Sequence, residues 1–260
     1  MRWARYLIDG QETWGLVEGE VLVDAAGSPF GEWERTTTTR PLGETKLLPP
    51  VMPRTFYAAG LNYSEHVVAV ANERGETPAL PEAADIGYRA INSITGPGDP
   101  VIIPADAGEE IQYEGELVAV IGRNAKHLTH DNCLDCVLGY TIGNDVSERA
   151  WQRQDRTFWR CKNTDTFAPM GPWIETEFDI DAAQTAVRVN GRETIRFPTG
   201  NMIFSLQDFM VRMTRNITLW PGDVIWLGTE GKSENLKPGD VCEVEITGIG
   251  VLSNPFVLEE

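Results

Sequence analysis

The sequence predicts a β-rich α+β fold, with a small N-terminal β unit ahead of a larger body. Three observations predict it. Short apolar runs bounded by Gly and Pro outnumber the helical stretches, and the two do not alternate as βαβ units, which argues against a doubly wound sheet. Pro97-Gly98-Asp99, Pro221-Gly222-Asp223 and Pro238-Gly239-Asp240 each precede an apolar run, and Pro-Gly suits the centre of a type II turn that feeds a strand. The 260 residues, 42% of them hydrophobic, suffice for one large domain or two unequal ones.

The elements follow in order. Arg2 to Ile8 reads as a strand that turns at Asp9-Gly10, a favoured hairpin pair. Thr13 to Val17, then Glu18-Gly19, then Val21 to Asp24 continue an antiparallel meander too small to stand alone. The stretch 41–53 holds Pro41, Pro49, Pro50 and Pro53 and reads as a stiff linker, so the expected division is 1–48 and 49–260. Thr55 to Ala59 is a short strand. Ser64 to Arg74 reads as a helix with Asn62 or Ser64 as its cap and Glu65 in the first turn. Residues 75–87, with Gly75, Pro78, Pro81 and Gly87, form a long loop, and 64–87 together read as a lid. Further helices are expected at about 130–137, 147–155 and 204–215, and strands at Val224–Leu227 and Val241–Ile246.

Charge limits the partners. Lys and Arg total 22 against 39 Asp and Glu, a formal net charge of −17. Such a chain repels polyphosphate and anionic membranes, so neither nucleic acid nor a membrane is expected as a partner. No apolar run approaches the ~20 residues that span a bilayer. Asp9 interrupts the N-terminal stretch before any signal-like core. Cys133, Cys136, Cys161 and Cys242 are too few and too irregular for a disulfide framework. Cys133 and Cys136 lack the second ligand pair a structural zinc site needs and read as small buried residues. A cytoplasmic location is expected from these points.

Three signals carry chemistry. In Tyr113-Glu114-Gly115-Glu116-Leu117-Val118-Ala119-Val120-Ile121 the apolar half reads as a strand buried on both faces. The period of two puts Glu114 and Glu116 on one face, where like charges entering a core need a basic neighbour, a shared proton or a metal. At the second, Gly143-Asn144-Asp145-Val146-Ser147-Glu148, a strand gives way to a helix, and Asp145 with Glu148 fits a capping box. Combined, Glu114, Glu116 and Asp145 make an all-oxygen site suited to Mg2+ or Mn2+, with Ca2+ as a further candidate. A divalent ion leaves one negative charge, for which Lys162 is the candidate cation. His66, the third signal, falls in the first helical turn, where the helix dipole favours the neutral imidazole that serves as a base. His127 and His130 lie in a polar turn and are given no role.

Gly60-Leu61-Asn62-Tyr63 with His66, Tyr113 to Leu117, Gly139-Tyr140-Thr141 with Asn144 to Ser147, and Lys162 through Gly171-Pro172-Trp173 resemble the fumarylacetoacetate hydrolase family. So do Met202-Ile203-Phe204, Leu219 to Ile225, Gly228-Thr229 and Gly248-Ile249-Gly250, and the likeness covers about residues 51–256 in order. The resemblance implies a mixed β-roll catalytic domain behind a small N-terminal domain, commonly in a homodimer. It implies a small-molecule 2-oxo acid or β-dicarbonyl acid as substrate, often in aromatic-compound breakdown. It places the metal on Glu114, Glu116 and Asp145, and substrate contacts on Gln152, Lys162 and Thr229. Arg89 falls where many members have lysine and is counted with the substrate contacts.

The chemistry expected is cleavage of a C–C bond of an acylpyruvate-type acid through a metal-stabilised enolate, with Lys162 near the oxyanion and His66 activating water. The rival within the family is an isomerase or decarboxylase of a hydroxy-dienoic diacid; an inactive metal-binding sensor is the rival outside it. Two departures stand out. Family members that hydrolyse often pair the lid histidine with a glutamate three residues on, and here that residue is Ala69, with Glu73 as the alternative acid. Where the family usually has proline after the threonine, this chain has Glu230.

Overall fold

The computed structural model describes residues 1–260 apart from the side chains of Glu73 and Arg74. Four strands, Arg2–Ile8 (β1), Gln11–Glu18 (β2), Val21–Gly27 (β3) and Trp33–Pro41 (β4), open the chain. Then come Phe56–Ala59 (β5), the helix Ser64–Arg74 (α1), Ile86–Arg89 (β6), Ile94–Thr95 (β7), Val101–Ile103 (β8), Ile111–Gln112 (β9) and Gly115–Ile121 (β10). Val137–Asn144 (β11), Ser147–Glu148 (β12), the short helix Arg149–Gln152 (α2), Ala168–Glu175 (β13), Gln184–Val189 (β14) and Arg192–Pro198 (β15) follow. Leu206–Thr214 (α3), Val224–Trp226 (β16), Asn235–Leu236 (β17), Val241–Ile246 (β18) and Gly250–Leu258 (β19) complete the chain.

The first hairpin is made by Asp9 and Gly10, both with positive φ (48° and 79°), the mirror-image turn whose twist suits two antiparallel strands. The three Pro-Gly-Asp turns form as the sequence predicts. Gly98, Gly222 and Gly239 all have positive φ, and each Asp carboxylate accepts the backbone N–H of the residue that opens its turn (Gly96, Trp220 and Lys237, 2.8–3.1 Å). The meander does not stand apart from the body. β1 pairs antiparallel with β13 (Arg2 opposite Glu175), so one mixed sheet runs β4-β3-β2-β1-β13-β11-β10-β16-β5-β6, with β7 beside β13. A five-stranded sheet, β15-β14-β18-β19-β8, packs against it, and β12-β9-β17 form a third, small sheet. The fold is β-rich with mixed sheets, as expected.

β10 lies between two cores. Leu117, Ala119 and Ile121 join Val187, Val244, Ile246, Phe209 and Met210 on one side. Val118 and Val120 join Phe56, Met170, Trp3 and Trp226 on the other. Every residue of β10 is buried, the condition that its continuous apolar run implies.

Local signals fail in two places. The helix expected at 130–137 is one 3-10 turn, Cys133–Cys136, feeding β11; all four cysteines are free and buried. Of the stretch 147–155, Ser147 and Glu148 pair with Gln112 and Ile111 as a strand, and only Arg149–Gln152 is α-helical. Long-range strand pairing overrides the helical pattern there. The Asp145–Glu148 capping box does not form. Glu148 is the cap, accepting the N–H of Trp151, while Asp145 is engaged elsewhere. The helix at 204–215 does form, as α3, closed by a Ser205–Asp208 capping box. Among the described residues no helix is long and apolar enough to cross a membrane.

Because β10 is packed on both faces, Leu117→Ala should lower stability by about 2–5 kcal/mol. Urea unfolding followed by tryptophan fluorescence checks this; a loss below about 1 kcal/mol would mean the core around β10 collapses to fill the gap.

Candidate active site

Strand register assembles the carboxylates. In the β10–β11 pair, Gly115 faces Asn144 and Glu116 faces Gly143, so Asp145 lies just past the end of β11, beside Glu114 at the entrance of β10. Two hydrogen bonds fix the junction: Asp145 N–H to the Glu114 carbonyl (2.9 Å) and Glu114 N–H to Asn144 Oδ1 (3.0 Å). Glu114, Glu116 and Asp145 are 5%, 2% and 1% exposed, and one oxygen from each lies within 4.8 Å of the others. This donor set is all oxygen, carries three negative charges and fits one hard divalent cation.

Three cations surround the carboxylates. Lys162 Nζ donates to Glu114 Oε2 and Asp145 Oδ2, both at 2.7 Å, and the lysine is itself buried. Arg149 Nη2 lies 2.7 Å from Glu114 Oε1, and Arg89 Nη2 lies 2.9 Å from Asp145 Oδ2. The sequence points to Lys162 as the neutralising cation; in the structure Arg89 and Arg149 share that task. Arg149 is an addition to the expected site. A signal existed, since Arg149 and Gln152 are spaced to share one face of a helix turn, and the Gln152 Oε1 accepts from Arg149 Nη1 at 2.8 Å. Gln112 Oε1 accepts from Arg149 Nε at 2.8 Å and fixes the guanidinium from the other side.

Glu116 differs from its neighbours. Its Oε2 accepts the N–H of Gly228 (2.8 Å), and the backbone there has φ +90°, which suits glycine. Burial and the like charges of Asp145 and Glu114 push its carboxyl well above the usual carboxylate range. Burial works the same way on Glu114, but the charges of Lys162 and Arg149 outweigh it and hold Glu114 well below that range. One trio thus combines a carboxyl held strongly acidic with one whose proton is bound more tightly than an ordinary carboxyl's.

The trio opens into a cleft of about 380 Å3 whose walls include His66, Ala69, Arg89, Gln152, Lys162 and Thr229. Every residue expected at the site therefore reaches one cleft. His66 Nδ1 lies 2.8 Å from the Gly231 carbonyl. A carbonyl only accepts, so the neutral ring carries its proton on Nδ1 and keeps Nε2 as the free base. The side chain of Glu73, weighed as a substitute for the acid missing at Ala69, lies outside the described residues. The expected caps of α1 are not used: its N-cap is Tyr63, and the Asn62 side chain instead bonds the Leu227 carbonyl (2.9 Å) and the Phe204 N–H (3.0 Å). The α1 amides go to Glu230, which no local pattern could reveal because it is 165 positions away.

Residues 55–257 match the family model described as fumarylacetoacetate (FAA) hydrolase C-terminal, and residues 1–50 match Rv2993c-like, N-terminal. The chain belongs to the fumarylacetoacetate hydrolase family. It is similar to Protein Rv2993c of Mycobacterium tuberculosis, with 37% identity over 90% of this chain and 87% of the relative. It is also similar to the mitochondrial oxaloacetate tautomerase fahd2 of Xenopus laevis, with 32% identity over 81% of this chain and 68% of the relative. The crystal structure of 5-carboxymethyl-2-hydroxymuconate delta-isomerase from Mycobacterium smegmatis superposes with a TM-score of 0.89 at 35% identity, covering all of both chains. The chain is an enzyme of the fumarylacetoacetate hydrolase family, a group that joins isomerases, tautomerases and hydrolases on one fold.

The Glu116 carboxyl sets a pH test. Its folded-state pKa lies above the unfolded value of about 4.5, so the native state binds the proton more tightly and ion-free stability falls as pH rises through the folded pKa. A divalent ion needs the carboxylate. Manganese should therefore raise Tm more at about pH 8 than at about pH 5, as read by calorimetry. An equal rise at both would exclude proton–metal competition at Glu116.

Proposed function

We propose that the protein binds Mg2+ or Mn2+ between Glu114, Glu116 and Asp145 and catalyses proton transfer on a 2-oxo acid through its enolate, as a tautomerisation or isomerisation. One observation carries this reading: a buried carboxylate trio, flanked by the three cations Lys162, Arg89 and Arg149, opens into a cleft with His66 in its wall.

Charge decides what suits the cleft. The three carboxylates and three cations cancel, so a divalent ion would bring two uncompensated positive charges. The 2-oxo carboxylate end of a substrate, in its keto form, returns one negative charge to the ion. The enolate of that same end returns two, whatever charge the rest of the substrate carries outside the trio. The site is thus better matched to the enolate than to the keto acid, which is the condition for catalysis rather than mere binding. A bound ion would supply Lewis-acid stabilisation of the developing oxyanion. Lys162 supplies a fixed positive charge beside it, held in place by its two carboxylate bonds. Gln152 is oriented by Arg149, and with Thr229 it offers polar contacts to the substrate.

His66 supplies the base, taking or returning a proton at Nε2. Its Nδ1 partner is a neutral carbonyl, and Ala69 stands where hydrolytic members of the family often place the glutamate that pairs with the lid histidine. That departure favours proton transfer on the substrate over hydrolysis. It also accords with relatives named as a tautomerase and a delta-isomerase. Hydrolysis of a C–C bond is the second reading, favoured by the free Nε2, which could instead activate water.

The test is a comparison of oxaloacetate keto–enol exchange, double-bond shift in a hydroxy-dienoic diacid and cleavage of an acylpyruvate, each with manganese. Exchange or double-bond shift should be the fastest. Glu116→Ala should abolish it, and His66→Ala should lower kcat by about 10²-fold or more. Acylpyruvate cleavage outrunning proton exchange would replace this reading with the hydrolytic one.

A further inference from the structure

Helix α1 carries His66 but has little holding it to the protein. Among its described side chains only Val67 and Ala71 are buried, one position per turn on a single stripe. A helix with so narrow an apolar contact is free to shift unless polar bonds fix its end. Its own N-cap cannot supply them, because Tyr63 makes no capping bond and directs its hydroxyl to the Thr199 carbonyl (2.7 Å).

Glu230 does the work of that cap. Its Oε1 accepts the N–H groups of Glu65 (2.9 Å) and His66 (3.3 Å), the second and third residues of α1 and the amides that a capping side chain ordinarily satisfies. Its Oε2 accepts from Asn201 Nδ2 (3.0 Å), and the residue is 3% exposed. A carboxylate there also complements the positive end of the helix dipole. The next residue completes the arrangement, since the Gly231 carbonyl takes the His66 Nδ1 proton. Gly231 has φ +70°, and a Cβ would come within 2.5 Å of Ile195 Cδ1, so this backbone conformation favours glycine.

We propose that Glu230 is the positioning residue for His66: with Gly231 it locks the backbone and the ring of one histidine to one loop, in place of an acid at Ala69. The role rests on the reading of His66 as the proton-transfer base. Glu230 touches neither the carboxylate trio nor the reacting atoms; it acts through the geometry of α1.

The experiment compares Glu230→Gln, which keeps an acceptor oxygen, with Glu230→Met, which keeps the length and removes it. The full chain has three histidines, so the imidazole nitrogens of His66 can be followed by 1H–15N correlation. In the wild type His66 should show the Nδ1–H tautomer. Glu230→Met should mix the tautomers, speed amide exchange at Glu65 and His66, and lower kcat by about 10²-fold with KM and manganese affinity nearly unchanged. Glu230→Gln should recover most of each. In a His66→Ala background, Glu230→Met should cause no further loss. Wild-type imidazole and amide signals in Glu230→Met would overturn the proposal, as would an additive loss in the double variant. If the wild type turns over none of the substrates, the functional reading fails, while the imidazole and amide signals still decide the role of Glu230.

Discussion

Three carboxylates buried at the mouth of a strand that is itself buried on both faces form the constraint around which this molecule is organised. Like charges held this close and away from water are costly, and an uncompensated one would destabilise the fold by several kcal/mol. Lys162, Arg149 and Arg89 offset two of them directly. Glu116 receives only the Gly228 N–H, so its charge is the one left open. An ion at this point would take the place of the Glu116 proton and would put a Lewis acid at the base of the cleft.

The two walls of the cleft are built differently. The carboxylate wall is fixed by the register of β10 and β11 and by cores on both sides, so its side chains have little freedom. The histidine wall is a short helix with two buried side chains among those described, tied by Glu230 and Gly231. Rigid ligands opposite a lightly anchored base suit a site that must admit a substrate and still present a base in one tautomer. The N-terminal meander extends the sheet that carries the rigid wall, through the pairing of β1 with β13.

Much of this is legible in the sequence because it depends on short-range patterns. The continuous apolar run after Glu116 shows a strand buried on both faces, the period of two shows the paired glutamates, and each Pro-Gly-Asp shows its turn. The chemistry-bearing residues stand out because buried charges are rare. What is not legible depends on distant partners. Ser147 and Glu148 form a strand because Ile111 and Gln112 lie beside them, and the helical pattern of that stretch carries no trace of it. Arg149 looks like one more arginine on a helix until Glu114 is placed beside it. Glu230 is visible as a departure from the family's usual proline, but its meaning appears only when α1 is folded against it.

The central claim is that Glu114, Glu116 and Asp145 share one divalent ion. Anomalous diffraction from crystals grown with manganese tests it most directly. A single peak within coordination distance of all three carboxylates, about 2.0–2.3 Å from one oxygen of each, is the expected result. No peak there, with Lys162 still bridging Glu114 and Asp145, would contradict the account.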